Sequence, residues 1–176
     1  MTKRKIFILL TKFNTMDAKL LSFLTNSTYT HASIGLEENL NKFYSFVGKG
    51  FLEEEITKYI KPHKQPFKCI LYELEVSNNV YDVIKNTLNK FKKIKNDLKY
   101  TKLGVILCVL HIPYNKKNKY FCSHFVATIL NSCNVLKLNK NSSLYLPKDF
   151  AKIPNIKLKF QGNLKQMINR YKLQPD

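Results

Sequence analysis

Residues 30–36 alternate strictly between apolar side chains and small or polar ones. The apolar set is Ala32, Ile34 and Leu36, and the other set is His31, Ser33 and Gly35. Because successive side chains of a strand point to opposite faces, this pattern predicts a strand with a core-facing side and a side of small residues headed by a histidine. Residues 42–47 follow a polar loop at 37–41 and are typical of the returning strand of a hairpin.

The remaining patterns mix strands with helices. Apolar runs predict strands at 6–13, 67–76 and 156–160. Capping residues followed by apolar side chains at helical spacing predict helices at 14–24, 77–95, 123–133 and 164–172. Residues 103–111 fit either a buried helix or a strand. We therefore predict a single α+β domain over residues 1–176, with an antiparallel sheet packed against helices.

The chain is strongly basic, since 30 Lys and Arg against 12 Asp and Glu give a formal net charge of +18. Only Arg4 and Arg170 are arginines, and the guanidinium group is the side chain that suits bidentate recognition of bases and phosphates. We therefore expect no specific nucleic-acid ligand. Lysine clusters at 90–95 and 116–119 leave one alternative, a non-enzymatic module that binds an anionic membrane or nucleic acid through its charge.

Neither a secretory leader nor a membrane span is predicted. The apolar stretch at 6–10 has five residues, whereas a leader needs about 7–15. The apolar run at 103–112 has ten, whereas a bilayer span needs about 20. We expect a cytoplasmic protein with reduced cysteines.

The cysteines and histidines allow one zinc arrangement to be drawn, from Cys108, His111, Cys122 and His124. The first two residues lie in the apolar run, where burial is the simpler explanation. We therefore predict neither a metal nor another cofactor.

Cys122 lies at or near the N-terminus of the helix predicted at 123–133. The oriented N–H groups and partial positive charge of a helix N-terminus favour a thiolate, so Cys122 is a candidate nucleophile. A base must lie near it, and His31 stands out among the four histidines because its strand neighbours Ser33 and Gly35 leave room for a helix end. A thiolate that attacks a carbonyl, with an imidazole as proton shuttle, is the papain-type arrangement.

The sequence blocks around these two residues resemble a known superfamily. Residues 30–36 (THASIGL), 44–46 (YSF) and 121–126 (FCSHFV) are similar to the circularly permuted branch of the NlpC-like papain-type superfamily, to which the YiiX-like amidases and lecithin retinol acyltransferase belong. In that branch the histidine strand precedes the cysteine helix, which is the order found here. The resemblance runs from residue 5 to residue 164, including the PKDF turn at 147–150, and it implies a permuted papain-like fold.

The resemblance implies Cys122 as the nucleophile and His31 as the general base. It also implies a third polar residue on the strand after the histidine, which orients the imidazole. Here that role falls to Ser45 or Tyr44, with Glu37 in the loop as a remoter candidate.

The residues that flank the nucleophile have further predicted roles. The backbone N–H groups of Cys122 and Ser123 are candidates for an oxyanion hole. His124 stands where relatives often have glutamate, and we interpret it as a packing or surface residue because a helix points it nearly opposite to Cys122. Lys116 and Lys117 are predicted to flank the cleft and to favour acidic substrates.

The predicted activity is that of a cysteine hydrolase, a peptidase or amidase with isopeptide or ester bonds as further targets, which acts through a covalent acyl-enzyme. A thioesterase or an acyltransferase on lipid-type substrates is the alternative within the same chemistry, since water or another nucleophile can resolve an acyl-enzyme. The expected partner is a peptide, amide or acyl substrate, and a weak contact with an anionic membrane surface is a second expectation.

Overall fold

The structure is a computed structural model that describes residues 3–12, 22, 27–37, 39–60, 67–133 and 138–174. Its six main strands are β1 (Lys3–Thr11), β2 (His31–Leu36), β3 (Lys42–Val47), β4 (Gly50–Glu55), β5 (Lys68–Ser77) and β8 (Lys157–Asn163). They form one antiparallel sheet in the order β4-β3-β2-β1-β5-β8. The helix predicted at 14–24 lies outside the described residues, apart from residue 22.

The α-helices of the described ranges are α1 (Asn78–Lys93), α2 (Lys102–Val109), α3 (Cys122–Asn131) and α4 (Leu164–Tyr171). The segment that fits either a helix or a strand is therefore helical in α2. Thr101 caps this helix, because its Oγ1 accepts a hydrogen bond of 3.0 Å from the N–H of Gly104. Two short strands, β6 (Lys99–Tyr100) and β7 (Lys119–Tyr120), flank α2 in the chain and pair in parallel. Among the described helices, none has the length and hydrophobicity that a membrane crossing requires.

The sheet carries a hydrophobic cluster on each face. One cluster joins inward side chains of β1 and β2 to α1 and α3, among them Ile8, Ile34, Ile84 and Phe125. The other joins the alternate side chains of β1 to β3 and α4, among them Leu9, Phe43, Leu164 and Met167. Every side chain from residue 6 to residue 10 is buried, because β1 is covered on both sides. The predicted α+β arrangement, an antiparallel sheet packed against helices, is confirmed.

Aromatic rings hold α3 against α1 and the β3–β4 hairpin. The ring of Phe125 in α3 lies 5.1 Å, centroid to centroid, from Phe46 in β3 and 5.1 Å from Phe91 in α1. Phe51 of β4 and Tyr120 of β7 lie 5.9 and 5.2 Å from Phe46. Rings at these separations attract one another in tilted and edge-on pairs, so this cluster fixes α3 relative to the end of the sheet.

β2 and β3 pair over only part of their described lengths. The register joins Ile34 to Tyr44 and Gly35 to Phe43, although β2 begins at His31 and β3 continues to Val47. The N–H groups of a strand point alternately to its two neighbours. Ala32 therefore directs its N–H to the same side as Ile34, but beyond the end of the ladder. Helix α3 packs against both strands, and the sulfur of Cys122, at the start of α3, accepts a hydrogen bond from this N–H.

Candidate active site

Cys122 is the first residue of α3. The N-cap residue before it, Phe121, has an extended backbone. Cys122 is 5% exposed. Its sulfur accepts hydrogen bonds from the backbone N–H groups of Ala32 and Ser123, and the carbonyl oxygen of Thr30 lies 4.0 Å away. The sheet and the helix thus each direct one amide at the same sulfur.

His31 begins β2 and contacts both Cys122 and a carboxylate. It is 3% exposed. Its Nε2 lies 2.7 Å from Oε1 of Glu54, and its ring is also hydrogen-bonded to the side chain of Cys122. Because Nε2 faces the carboxylate, Nδ1 is the nitrogen that faces the thiol. The structure therefore brings together the two residues that the sequence pairs as nucleophile and base.

Glu54 and Ser45 extend this contact across the sheet. Glu54 lies in β4 opposite Phe43 of β3, and residues directly opposite one another share a face of the sheet, so its carboxylate is on the same side as Ser45. Ser45 Oγ donates to Glu54 Oε1, the oxygen that also contacts His31. All these side chains are buried, which a carboxylate tolerates when charged and hydrogen-bonding partners surround it.

The electrostatics of the site favour a thiolate beside an imidazolium. Burial alone would lower the pKa of His31, but the charge of Glu54 and the hydrogen bonds with Cys122 and Glu54 outweigh it and raise that pKa to about 10. Burial alone would raise the pKa of Cys122, but the hydrogen bond and charge of His31, with the two backbone donors, bring it below its usual 9.0. The two shifts have opposite signs because each group stabilises the charged form of the other.

The third residue of the site differs from the sequence prediction. Ser45 or Tyr44 is predicted to orient the imidazole, but Glu54 is the residue whose carboxylate contacts His31 Nε2. Ser45 acts one step further out, on that carboxylate. Tyr44 lies on the opposite face of β3, where its ring stacks on Phe51 with centroids 6.2 Å apart. Tyr44 therefore faces away from the imidazole, and Ser45 contacts the carboxylate that the imidazole meets.

No strand is predicted at residues 50–55 (GFLEEE), which include three consecutive glutamates. The signal that locates Glu54 is the short turn at 48–49, since a two-residue connection folds the chain directly back as a hairpin. The resulting register joins Val47 to Gly50 and Phe43 to Glu54. The alternation of strand side chains then turns Glu54 to the face of Ser45.

The other predicted positions lie further from this contact. Glu37 forms an ion pair with Arg4, so the remoter candidate for the third residue is occupied elsewhere. Lys116 and Lys117 are exposed on the turn that leads into β7, a few residues before α3.

Ser123 has two separate contacts beside the nucleophile. Its hydroxyl donates to the carbonyl oxygen of Tyr145 at 2.6 Å, which ties the first turn of α3 to the segment that follows it. Its N–H donates to the sulfur of Cys122. The N–H groups of the first helical turn have no intrahelical acceptor, so those of Cys122 and Ser123 stay candidates for oxyanion donors.

His124 packs inside the protein. Its ring centroid lies 5.0 Å from that of Tyr120 and 5.4 Å from that of Phe121. Burial lowers its pKa to about 4, so this imidazole is neutral at physiological pH. The interpretation of His124 as a packing residue agrees with this placement.

The zinc arrangement drawn from Cys108, His111, Cys122 and His124 is not formed. Within the described ranges no group of three or more His, Cys, Asp or Glu side chains is arranged to hold a metal ion. Cys108 Sγ instead lies 3.9 Å from the carbonyl oxygen of Tyr145, and His111 is exposed at the end of α2.

The buried thiols of Cys69 and Cys108 have the opposite electrostatic environment from Cys122. Burial raises the pKa of each to about 12. A thiol with such a pKa is almost entirely protonated at neutral pH and is a poor nucleophile. The lowered pKa of Cys122 therefore sets it apart from both.

Cys122, His31 and Glu54 together provide the groups that nucleophilic catalysis by a cysteine requires. A thiolate held by amide donors is positioned to attack a carbonyl carbon. The adjacent imidazolium can give a proton to a leaving group and then take one from water. The carboxylate on the far ring nitrogen fixes the orientation of the ring and stabilises its charge.

Comparisons with known proteins give no further assignment. No protein-family model matches the sequence, and no curated protein is significantly similar to it.

Proposed function

We propose that the protein is a cysteine hydrolase with a circularly permuted papain-like fold of the NlpC-like type. Cys122 is the nucleophile, His31 the general acid and base, and Glu54 the residue that orients the imidazole. The observation that carries the proposal is the 2.7 Å contact of Glu54 with His31 Nε2. The same imidazole is hydrogen-bonded to Cys122, whose pKa is lowered. Perturbed groups of this kind concentrate at functional sites.

The order of the elements supports the permuted fold. The histidine strand β2 precedes the cysteine helix α3 in the chain, and α3 packs against β2 and β3. This is the order of the superfamily branch that the blocks at 30–36 and 121–126 resemble.

The first half of the reaction forms an acyl-enzyme. The Cys122 thiolate attacks the substrate carbonyl carbon, and the carbonyl π electrons move to oxygen to give a tetrahedral oxyanion next to the first turn of α3. The oxyanion collapses, the bond to the leaving group breaks, and the leaving amine or alkoxide takes the Nδ1 proton of His31. A thioester on Cys122 and a neutral imidazole result.

The second half consumes water. The neutral imidazole of His31 takes a proton from a water molecule, whose oxygen attacks the thioester carbon. Collapse of this second intermediate releases the carboxylic acid product and returns the thiolate–imidazolium pair. A different nucleophile in place of water gives acyl transfer, and a thioester substrate gives thioesterase activity, by the same steps. Lys116 and Lys117 bias the site towards acidic substrates.

The test is the selective chemistry of Cys122. Iodoacetamide at neutral pH alkylates Cys122 at least about 100-fold faster than Cys69 or Cys108, because only the thiolate reacts; peptide mass mapping identifies the site. An activated acyl ester leaves a thioester on Cys122, and His31→Gln slows its hydrolysis. Cys133→Ser is the matched control, because it removes another buried thiol, from the turn that follows the same helix. We expect it to leave both reactions unchanged.

Two results would contradict the proposal. One is equal labelling of the thiols in the folded protein. The other is an acyl adduct that forms equally well in Cys122→Ala, which would leave the non-enzymatic basic module as the better assignment. Peptide, ester and acyl-thioester substrates, each tested with and without an amine acceptor, separate hydrolase from acyltransferase.

A further inference from the structure

Helix α2 presents an apolar face to the surface. Leu103, Ile106, Leu110 and Ile112 are 49–61% exposed, and we call this set the α2 ridge. The first three recur at helical spacing, and Ile112 folds back onto the end of the helix through a 2.8 Å hydrogen bond from its N–H to the carbonyl of Leu107. Single exposed apolar residues are normal on proteins, whereas a contiguous set marks an interaction surface.

The opposite face of α2 is fixed against the candidate site. A Cβ at Gly104 would stand 3.3 Å from the ring of Phe121, and Cys108 lies against the carbonyl of Tyr145. Gly104 and Cys108 are both buried. The helix therefore cannot turn its apolar side inwards, and the α2 ridge is held outwards, on the side of α2 away from Phe121.

The chain around the α2 ridge carries charge of one sign. Residues 98–148 contain no Asp or Glu and eight lysines. Lys102 precedes the ridge in the chain, and Lys116 and Lys117 follow it on an exposed turn. An apolar helix face bordered by lysines has the composition of segments that lie in a bilayer interface, where apolar side chains enter the acyl boundary and ammonium groups meet anionic headgroups.

We propose that the α2 ridge docks this protein on an anionic membrane surface. Its apolar side chains enter the headgroup–acyl boundary, and Lys102, Lys116 and Lys117 contact the headgroups. In this orientation helix α2 lies between the lipid and the residue that precedes Cys122. The proposal does not depend on the activity of Cys122.

Vesicle co-sedimentation tests the docking. The wild-type protein sediments with phosphatidylcholine vesicles that contain phosphatidylserine and remains in solution with phosphatidylcholine alone, and added salt weakens the binding. The partition coefficient of the double variant Ile106→Gln/Leu110→Gln onto these vesicles is lower by about tenfold or more, because less apolar surface leaves water. Lys116→Glu/Lys117→Glu gives a loss of at least about the same size.

Leu158→Gln is the matched control for the apolar pair. Leu158 is 56% exposed, as is Ile106, but it lies on β8 between Lys157 and Lys159. These lysines pair with Glu75 and Glu73, so the charge along β8, unlike that along residues 98–148, is not of one sign. We expect Leu158→Gln to bind vesicles as the wild type does.

A single tryptophan measures insertion directly, since the chain has none. The emission of Leu110→Trp shifts to the blue on phosphatidylserine vesicles and is quenched by lipids brominated on the acyl chain. The emission of Leu158→Trp does neither.

Three outcomes would overturn the docking proposal. The first is that the wild type does not bind vesicles. The second is that Ile106→Gln/Leu110→Gln binds as well as the wild type, which would mean that the lysines alone adsorb to the membrane. The third is that the wild type self-associates without binding lipid and that this double variant is monomeric, which would assign the ridge to contact with a second copy. Cys122→Ala retains full vesicle binding, so failure of the docking proposal and failure of the hydrolase proposal are separate results.

Discussion

Glu54 Oε1 lies 2.7 Å from His31 Nε2, although the two residues are 23 positions apart and lie on strands separated by β3. The intervening strand adds Ser45 to the same carboxylate oxygen. The contact therefore exists only when β2, β3 and β4 are all in register. A slip of β4 by one residue would turn Glu54 to the other face of the sheet.

Replacement of Glu54 by glutamine is the sharpest test of this contact. Without the carboxylate charge, burial lowers the pKa of His31, and the thiolate of Cys122 loses its counter-ion. We expect kcat/KM for acyl-enzyme formation to fall by about 10²–10⁴-fold, and the rate of iodoacetamide alkylation of Cys122 at neutral pH to fall with it.

Glu53→Gln is the control for this substitution, because Glu53 is the neighbouring carboxylate on the opposite face of β4, where it pairs with Lys92. We expect Cys122 in Glu53→Gln to be alkylated at the wild-type rate. Equal loss in both variants would mean that net charge, rather than the contact with His31, sets the reactivity.

Ser45→Ala removes one donor from a buried carboxylate. Hydrogen bonds to charged groups contribute about 1.5–3 kcal/mol, so the free energy of unfolding should fall by that amount in urea denaturation. Ser33→Ala is the comparison, because Ser33 is also fully buried on that face but makes only a 3.5 Å contact with the neutral carbonyl of Leu9. A cost for Ser33→Ala as large as that for Ser45→Ala would contradict the role of Ser45.

The thiolate–imidazolium pair predicts an unusual pH dependence of stability. The raised pKa of His31, about 10 in the folded state, makes the free energy of unfolding fall as the pH rises from 6.5 towards 10, whereas the lowered pKa of Cys122 makes it rise as the pH approaches 9.0 from below. The two contributions have opposite signs, so the wild type shows a smaller slope of unfolding free energy against pH than either group alone would give.

Cys122→Ala exposes the contribution of His31. In this variant the charge and hydrogen bond of Glu54 still raise the pKa of His31. The folded state therefore keeps the His31 proton at pH values where the unfolded state has lost it. The free energy of unfolding should then fall as the pH rises above 6.5, with a slope of at most about 1.4 kcal/mol per pH unit. Urea denaturation at several pH values measures the slope. Adding Glu54→Gln to Cys122→Ala should flatten it, and a persistent slope in that double variant would assign it to another group.

Gly104→Ala should destabilise the protein although alanine favours helices. The new Cβ would stand 2.6 Å from Cγ2 of Thr101, and Thr101 cannot rotate away without losing its cap to the N–H of residue 104. We expect a loss of about 1–3 kcal/mol in thermal or urea unfolding. Gly48→Ala is the control, since nothing lies within 4 Å of its Cβ, and it should leave stability nearly unchanged.

The sequence predicts those elements whose side-chain periodicity is strong. The alternation at 30–36 becomes β2, and the amphipathic pattern at 77–95 becomes α1 over residues 78–93. The segment at 103–111 is ambiguous because its outer face is as apolar as its inner face, so it has no periodicity to separate a helix from a strand. β6 and β7 have two residues each and are too short to leave any pattern.

The candidate site, too, can be predicted from the sequence only in part. Cys122 and His31 can be paired from the sequence, because each lies at the end of an element with a clear pattern and the two surrounding blocks resemble one superfamily. Glu54 cannot be chosen so easily from three adjacent glutamates, since only the register of β4 against β3 distinguishes the inward carboxylate from its neighbours. Pairing between strands is a tertiary property, and local periodicity does not encode it.

The early end of the β2–β3 ladder has a consequence for how this site can vary over evolutionary time. One of the donors that acidify Cys122 is the main-chain amide of Ala32, and every amino acid except proline provides that group. Substitution at position 32 can change the packing of β2 without removing the donor. This part of the acidity of the nucleophile is therefore inherited with the path of the backbone rather than with any side chain, and it tolerates sequence drift as long as the two strands separate at the same point.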